Sequence, residues 1–282
     1  MDSLVTTDWL EHELGAPDLK IIDASAHLPA ANRDPRAEFA EGHIPGAVFL
    51  DLPTLKDGDS PVPNALPRAE QFAARMAELG IKRADRVVIY DDSDVKTSSR
   101  TWFILRMNGM RNVAILDGGL GKWKAEGRPL ENGQATPAAT PAESADADWR
   151  KVRSKADMLG NIASRTEQVL DARDAGRFTG ETVDGVHGLG GGHIPGARNL
   201  FFRDLLAPDG TFKSAGEIRA AFERAGIDLT RPITTTCGSG VTASVLLFAL
   251  HLVGVDDAAL YDGSWSEWGA DPETPKDTGA AA

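Results

Sequence analysis

Cysteine is nearly absent: one residue, Cys237, among 282. A single thiol excludes any disulfide within the chain and any zinc site built on cysteines. What is left is a buried, inert thiol or a reactive one. Long apolar runs are missing too, and none approaches the ~20 residues needed to span a bilayer. The opening Met1-Asp2-Ser3-Leu4 has neither the basic nor the apolar region of a signal peptide, so a cytoplasmic protein without membrane contact is expected. Positive charge is in deficit, with 30 Lys and Arg against 42 Asp and Glu, a formal net charge of −12. That balance argues against nucleic acid or anionic membrane as the main partner. An anionic substrate would need cations gathered locally against the overall field. Histidine is sparse, six in all with none at ligand spacing to another His or Cys, so neither metal nor cofactor is expected. Asp91-Asp92-Ser93-Asp94 lacks the glycine and terminal glutamate of a calcium loop and reads as a solvated turn.

The rest of the composition, 41% hydrophobic and 26% charged, is that of an ordinary globular protein. A chain of 282 residues is long for one core and comfortable for two, domains clustering around about 100–150 residues. An internal repeat supports two. Glu41-Gly42-His43-Ile44-Pro45-Gly46-Ala47 returns as Gly191-Gly192-His193-Ile194-Pro195-Gly196-Ala197, about 150 residues later. Upstream, Leu19-Lys20-Ile21-Ile22-Asp23-Ala24 matches Gln168-Val169-Leu170-Asp171-Ala172. Downstream, Asp117-Gly118-Gly119-Leu120 followed by Trp123 matches Asp262-Gly263-Ser264 followed by Trp268. Kept order and kept spacing mark a duplication: one copy over 1–132, a second over 150–282. The Ala-, Pro- and Thr-rich strip 133–149 between them reads as an exposed linker, and the polar tail after Trp268 as frayed.

Within each copy, short β-branched runs alternate with amphipathic stretches. Arg86–Tyr90 and Pro232–Thr236 are expected strands; 69–79, 216–225 and 242–252 are expected helices, with Gly80 and Gly226 as C-caps. This alternation predicts an α/β fold in duplicate, each copy a parallel sheet flanked by helices. Ligands of such sheets bind where a strand's carboxyl end feeds a helix. Cys237 is the first residue past its strand, followed by Gly238-Ser239-Gly240 and a helix starting near Val241 or Thr242. Glycines let successive N–H groups curl into an anion-binding nest, and the helix dipole adds positive potential. The loop, through Gly238, Gly240, Val241 and Thr242, is therefore expected to favour thiolate over thiol and to hold an anion such as a persulfide. The first copy supplies a control, because Asp91 stands where Cys237 stands and that copy has no nucleophile.

Two similar domains, each with His-Ile-Pro-Gly-Ala and with a lone cysteine in the second, resemble the two-domain rhodanese family. The loop Cys237-Gly238-Ser239-Gly240-Val241-Thr242-Ala243 is similar to that of its 3-mercaptopyruvate sulfurtransferases, whereas the thiosulfate enzymes usually carry Arg-Lys after the cysteine. The resemblance implies two tandem rhodanese-like α/β domains with an active site at their interface. It implies transfer of sulfur from 3-mercaptopyruvate through a Cys237 persulfide, with release of pyruvate, to cyanide, a thiol or a thioredoxin-like protein. It further implies a donor clamp of Arg177 and Arg100, suited to a carboxylate by the bidentate guanidinium, and a proton relay of Ser239, His43 and Asp34. One departure stands out: Val186 occupies the place of a further substrate-facing arginine, and His187 beside it can supply part of that charge when protonated. The alternatives are a thiosulfate:cyanide sulfurtransferase and a non-catalytic sulfur-binding scaffold. A rhodanese-fold phosphatase needs an arginine where this chain has Ala243.

Overall fold

A computed structural model describes residues 1–281. The chain forms two compact units, one of Met1–Asp57, Leu66–Asp148 and Pro208–Phe212, the other of Gly58–Ala65, Trp149–Ala207 and the chain from Lys213 onward. The short segment Gly58–Ala65, which repeat counting leaves in the first copy, belongs with the second.

The first unit carries five strands, β1 (Leu4–Val5), β2 (Leu19–Asp23), β3 (Ala47–Phe49), β4 (Arg86–Tyr90) and β5 (Val113–Leu116), in the order β1-β5-β4-β2-β3. All its pairings are parallel. The second unit repeats the plan with β6 (Val152–Arg153), β7 (Gln168–Asp171), β8 (Arg198–Asn199), β9 (Ile233–Thr236) and β10 (Ala259–Tyr261), ordered β6-β10-β9-β7-β8 and again parallel. Parallel sheets are buried on both faces, which explains why β4 reads Val-Val-Ile-Tyr with no polar alternation. Helices α1 (Thr7–Glu13), α2 (Pro35–Glu41), α3 (Ala69–Glu78), α4 (Thr97–Met107) and α5 (Gly119–Ala125) flank the first sheet. Helices α6 (Lys155–Ser164), α7 (Ala175–Thr179), α8 (Ala215–Arg224), α9 (Ala243–Leu252) and α10 (Ser264–Trp268) flank the second.

Local chemistry sets these boundaries. Helix α8 starts in a capping box, Ser214 and Glu217 each bonding the other's backbone N–H, buries Ile218, Ala221 and Phe222, and stops at Gly226 with φ +78°. Helix α9 is apolar all round because it is buried all round, packed on β9 and β10. One apolar cluster gathers Ile21, Val88, Tyr90 and Trp123 in the first unit, and another gathers Val169, Phe178, Tyr261 and Trp268 in the second. No helix among the described residues is long and apolar enough to cross a membrane.

Two segments are tied down more firmly than their composition predicts. The 133–148 strip, though largely exposed, bonds along the first unit through Gly133 N–H to Ala40 O, Thr140 N–H to Ala77 O and Asp148 N–H to Met107 O. Gly80 makes room for it, since a Cβ there would stand 2.5 Å from the Ala138 carbonyl oxygen. The tail beyond Trp268, expected to fray, is pinned. Trp268 Nε1–H donates to Pro275 O at 2.8 Å, and Asp277 exchanges both backbone hydrogen bonds with His193. The first unit closes identically, Trp123 Nε1–H on Pro129 O and His43 paired with Glu131. Composition missed this strap because its partners lie far away in sequence.

Candidate active site

Strand β9 is central, between β10 and β7, so its carboxyl end opens at the middle of the sheet. Register aligns Asp171 with Thr236 in the second unit and Asp23 with Tyr90 in the first, so Cys237 and Asp91 are equivalent, each one residue past the central strand. Asp91 is not the solvated turn residue its sequence suggests. It is buried, and its carboxylate accepts from the N–H groups of Ser93 at 2.9 Å and Ser98 at 2.7 Å. In the second unit no carboxylate does this. Among the described residues, the N–H groups of Gly238, Ser239, Gly240, Val241 and Thr242 donate to no group of the protein. Gly238 and Gly240 are buried and the other three residues partly so, and a curled run of free N–H groups of this kind can cradle an anion.

The segment carrying the sulfur is fixed from below. Cys237 O accepts from Trp265 N–H at 2.9 Å, Gly238 O from Ser266 N–H at 2.8 Å, and Cys237 N–H donates to Ser264 Oγ at 3.2 Å. Ser264 has φ +49°, where its first-unit counterpart is a glycine. The strained backbone is held because the hydroxyl also donates to Tyr261 O at 2.8 Å. Gly240 takes φ +78° at the turn into α9.

A buried ionic network surrounds the loop. Arg173, two residues past β7, is fully buried. Its guanidinium bonds the Asp171 carboxylate and Gly192 O, lies 3.6 Å from Asp184, and stacks over Trp265 at 4.5 Å. Burial works against its charge, yet Asp171, Asp184 and Cys237 more than offset this and hold it above its ordinary value. In the first unit the same position is Ser25, whose N–H bonds Asp23 just as Arg173 N–H bonds Asp171. The cation and the cysteine thus occur together in one copy, and neither is present in the other. Asp184 is also buried. Burial raises its pKa, but His187 first, then Arg177 and Arg173, bring it below the ordinary carboxylate value.

His187 Nδ1 lies 2.9 Å from Asp184 Oδ1, and its ring covers Gly238: a Cβ there would sit 2.2 Å from Cε1 and 3.0 Å from both ring nitrogens. Sequence reading missed Arg173, Asp184 and the closure of His187 over the loop. The register of β7 and β9, which sends residues 172–173 and 237 out of the sheet side by side, is seen only in the structure.

The expected site residues fall as follows. Cys237 is buried, 2% exposed. Ser239 is half-buried, its carbonyl accepting from Asn64 Nδ2 at 3.0 Å, and its hydroxyl makes no hydrogen bond. Arg177 Nε–H donates to Asp174 at 2.6 Å, with Nη1 3.6 Å from Asp184, so this guanidinium is already held by two carboxylates. Val186 is exposed. In the first unit, Arg100 is buried in α4, and Asp34 caps α2, accepting from Arg36 and Ala37 N–H. His43 Nδ1–H donates to Phe39 O at 2.7 Å with its ring stacked on Phe39 at 3.8 Å. His193 does the same with Phe178, at 2.9 Å and 3.9 Å, so the two histidines share one turn-holding role. No cluster of His, Cys, Asp or Glu suited to a metal ion occurs among the described residues.

Comparison with known proteins agrees with this geometry. The rhodanese-like domain model matches residues 6–126 and again 154–271. The human 3-mercaptopyruvate sulfurtransferase is 42% identical over 273 residues, covering 94% of this chain and 91% of the relative. The thiosulfate sulfurtransferase of Gallus gallus is 39% identical over 272 residues, covering 94% and 93%. Among solved structures, the 3-mercaptopyruvate sulfotransferase SseA of Escherichia coli superposes with a TM-score of 0.85 at 38% identity, over 94% of this chain and 99% of that one. With both halves matched and the sheets duplicated, the chain belongs to the rhodanese family.

Proposed function

We propose that this chain is a sulfurtransferase that receives a sulfur atom on Cys237 as a persulfide and passes it to an external thiol, a thioredoxin-like protein or cyanide. One observation carries the reading. The only cysteine stands at the place where the other copy puts a carboxylate, followed by five N–H donors with no acceptor in the protein. Such donors, fixed before the reaction, stabilise negative charge on sulfur as it develops. A buried cation, Arg173, accompanies the cysteine and is missing from the copy without one.

The proposed donor is 3-mercaptopyruvate, leaving as pyruvate. Gly238-Ser239 follows the cysteine in place of the Arg-Lys of thiosulfate enzymes, and the human relative of that name is among the most similar proteins. Arg177 is the proposed carboxylate contact in the second unit, with Arg100 a further one. The thiosulfate alternative draws support from the Gallus gallus relative and from Val186, which removes one cation from the expected clamp. The Ser239, His43 and Asp34 relay has less behind it. His43 Nδ1 and Asp34 Oδ1 are engaged within the first unit, while the Ser239 hydroxyl makes no hydrogen bond.

Burial of the thiol is the observation that weighs most against an accessible nucleophile. A direct experiment decides. Intact mass after exposure to 3-mercaptopyruvate should rise by one sulfur atom, localised to Cys237, and the Cys237→Ser protein should stay folded without the gain. No gain in the native protein with either 3-mercaptopyruvate or thiosulfate would overturn the reading. A faster rate with thiosulfate, cyanide being the acceptor in both assays, would change the donor alone.

A further inference from the structure

We infer that the second unit binds a small phosphate-bearing molecule in a pocket at the amino end of its sheet, walled by Arg165, Arg198 and Arg231. The pocket encloses about 220 Å³. Sites for drug-sized ligands run to roughly 300–1,000 Å³, so the occupant is small. Arg165 caps the end of α6, Arg198 opens β8, and Arg231 lies just before β9, so three separate elements bring the guanidinium groups together. Cys237 stands past the other end of β9, about 20 Å away for a strand rising ~3.3 Å per residue. This pocket is therefore a second place on the sheet, and it does not rest on the persulfide reading.

Charge is the first argument. Three arginines around one small pocket run against a formal net charge of −12. Two of them, Arg165 and Arg231, pair with no carboxylate among the described residues. Arg165 Nε–H donates to Ile162 O at 2.9 Å, and Arg231 Nη2–H donates to Arg165 O at 3.3 Å. The acids close by are already engaged. Glu167, on the pocket wall, accepts from Arg153 Nη2–H at 2.7 Å and from the Thr234 hydroxyl. Asp228 accepts from the Thr230 N–H at 2.9 Å and the Thr230 hydroxyl at 2.7 Å.

The first unit supplies a second argument. Counted from the shared His-Ile-Pro-Gly turn and from the ends of the central strands, Val48 and Asp85 stand where Arg198 and Arg231 stand. Gly46 N–H there donates to the Glu131 carboxylate at 2.9 Å. Its counterpart Gly196 lines the pocket, and its N–H has no acceptor among the described residues. The Arg165 guanidinium lies over Gly196 instead, with Nη1 2.1 Å from where a Cβ would stand. One copy thus meets this glycine with its own carboxylate, and the other offers a bare N–H beneath a cation. A carboxylate has two coplanar oxygens, which a single guanidinium fork can satisfy. Three forks from three elements suit the tetrahedral oxygens of a phosphate group better.

The test is calorimetric titration of the full chain at constant ionic strength, with glycerol 3-phosphate and inorganic phosphate as probes and succinate as the comparison. Both phosphates should bind at one site per chain, and succinate more weakly. The double variant Arg165→Gln/Arg231→Gln should bind them about tenfold or more weakly, through loss of charge-assisted hydrogen bonds. Both altered residues are exposed, so the variant should keep the native circular dichroism spectrum. Arg111→Gln/Lys124→Gln removes the same charge from exposed positions of the first unit and should bind like the native protein. Absence of saturable phosphate binding, or binding that persists in the folded Arg165→Gln/Arg231→Gln protein, would overturn the site. Succinate binding as tightly as glycerol 3-phosphate would overturn the ligand class.

Discussion

Asp91 and Cys237 occupy one place in two copies of one sheet, and each governs the charge of the loop behind it. The aspartate satisfies that loop with its own carboxylate, through Ser93 and Ser98 N–H. The cysteine leaves its loop's donors unmet. Duplication has thus kept one copy as a sealed version of the site and the other as an open one, and the sealed version shows which charge the open version is built to receive.

Arg173 is expected to be indispensable for folding as well as reactivity. Its replacement by Met would strand Asp171 and Asp184 as buried charges without their partner, a change that costs about 3–5 kcal/mol in comparable buried pairs. Denaturant unfolding of Arg173→Met should show a loss of that size. Ser25→Ala, at the equivalent place in the first unit, should shift stability far less.

Acid should unpick the same network from the Asp184 side. A carboxyl whose folded value lies below its ordinary one, 3.8 here, stabilises the fold above that ordinary value and gives this up as pH falls through the depressed one. The stability gap between native protein and Asp184→Asn should therefore be full at neutral pH and close progressively below about pH 4. Urea unfolding at stepped pH measures it. A gap that stays constant down to pH 2 or so would show that Asp184 contributes by shape and not by charge.

Cutting the chain after Gly269 should destabilise the second unit although it removes only polar, Pro-containing sequence. The cut takes away the Trp268–Pro275 bond and both bonds between His193 and Asp277. At roughly 1 kcal/mol each, this should lower the thermal midpoint by several degrees, read by calorimetry or circular dichroism.

Much of the architecture was legible in the sequence because its signals are local or repeated. Val87-Val88-Ile89, the glycines ending α3 and α8, and the His-Ile-Pro-Gly pair each declare themselves within a few residues. The loop at Cys237 was legible for the same reason, as strand end, double glycine and helix start are contiguous. Arg173, Asp184 and His187 were not, since their meaning lies in Coulombic contacts between separate elements that no period or motif encodes. The setting of His43 was hidden for a related reason: Phe39 lies beneath its ring, and the Phe178–His193 stack repeats that arrangement in the second unit.

The strap that closes each unit sets the size of the portable module. Trp123 and Trp268 each anchor a return segment that pairs with the histidine of its own half. The ancestral duplication must therefore have copied more than a sheet and its helices. Anyone grafting either half into another protein would have to carry the stretch beyond its last tryptophan, or inherit a fold with its latch undone.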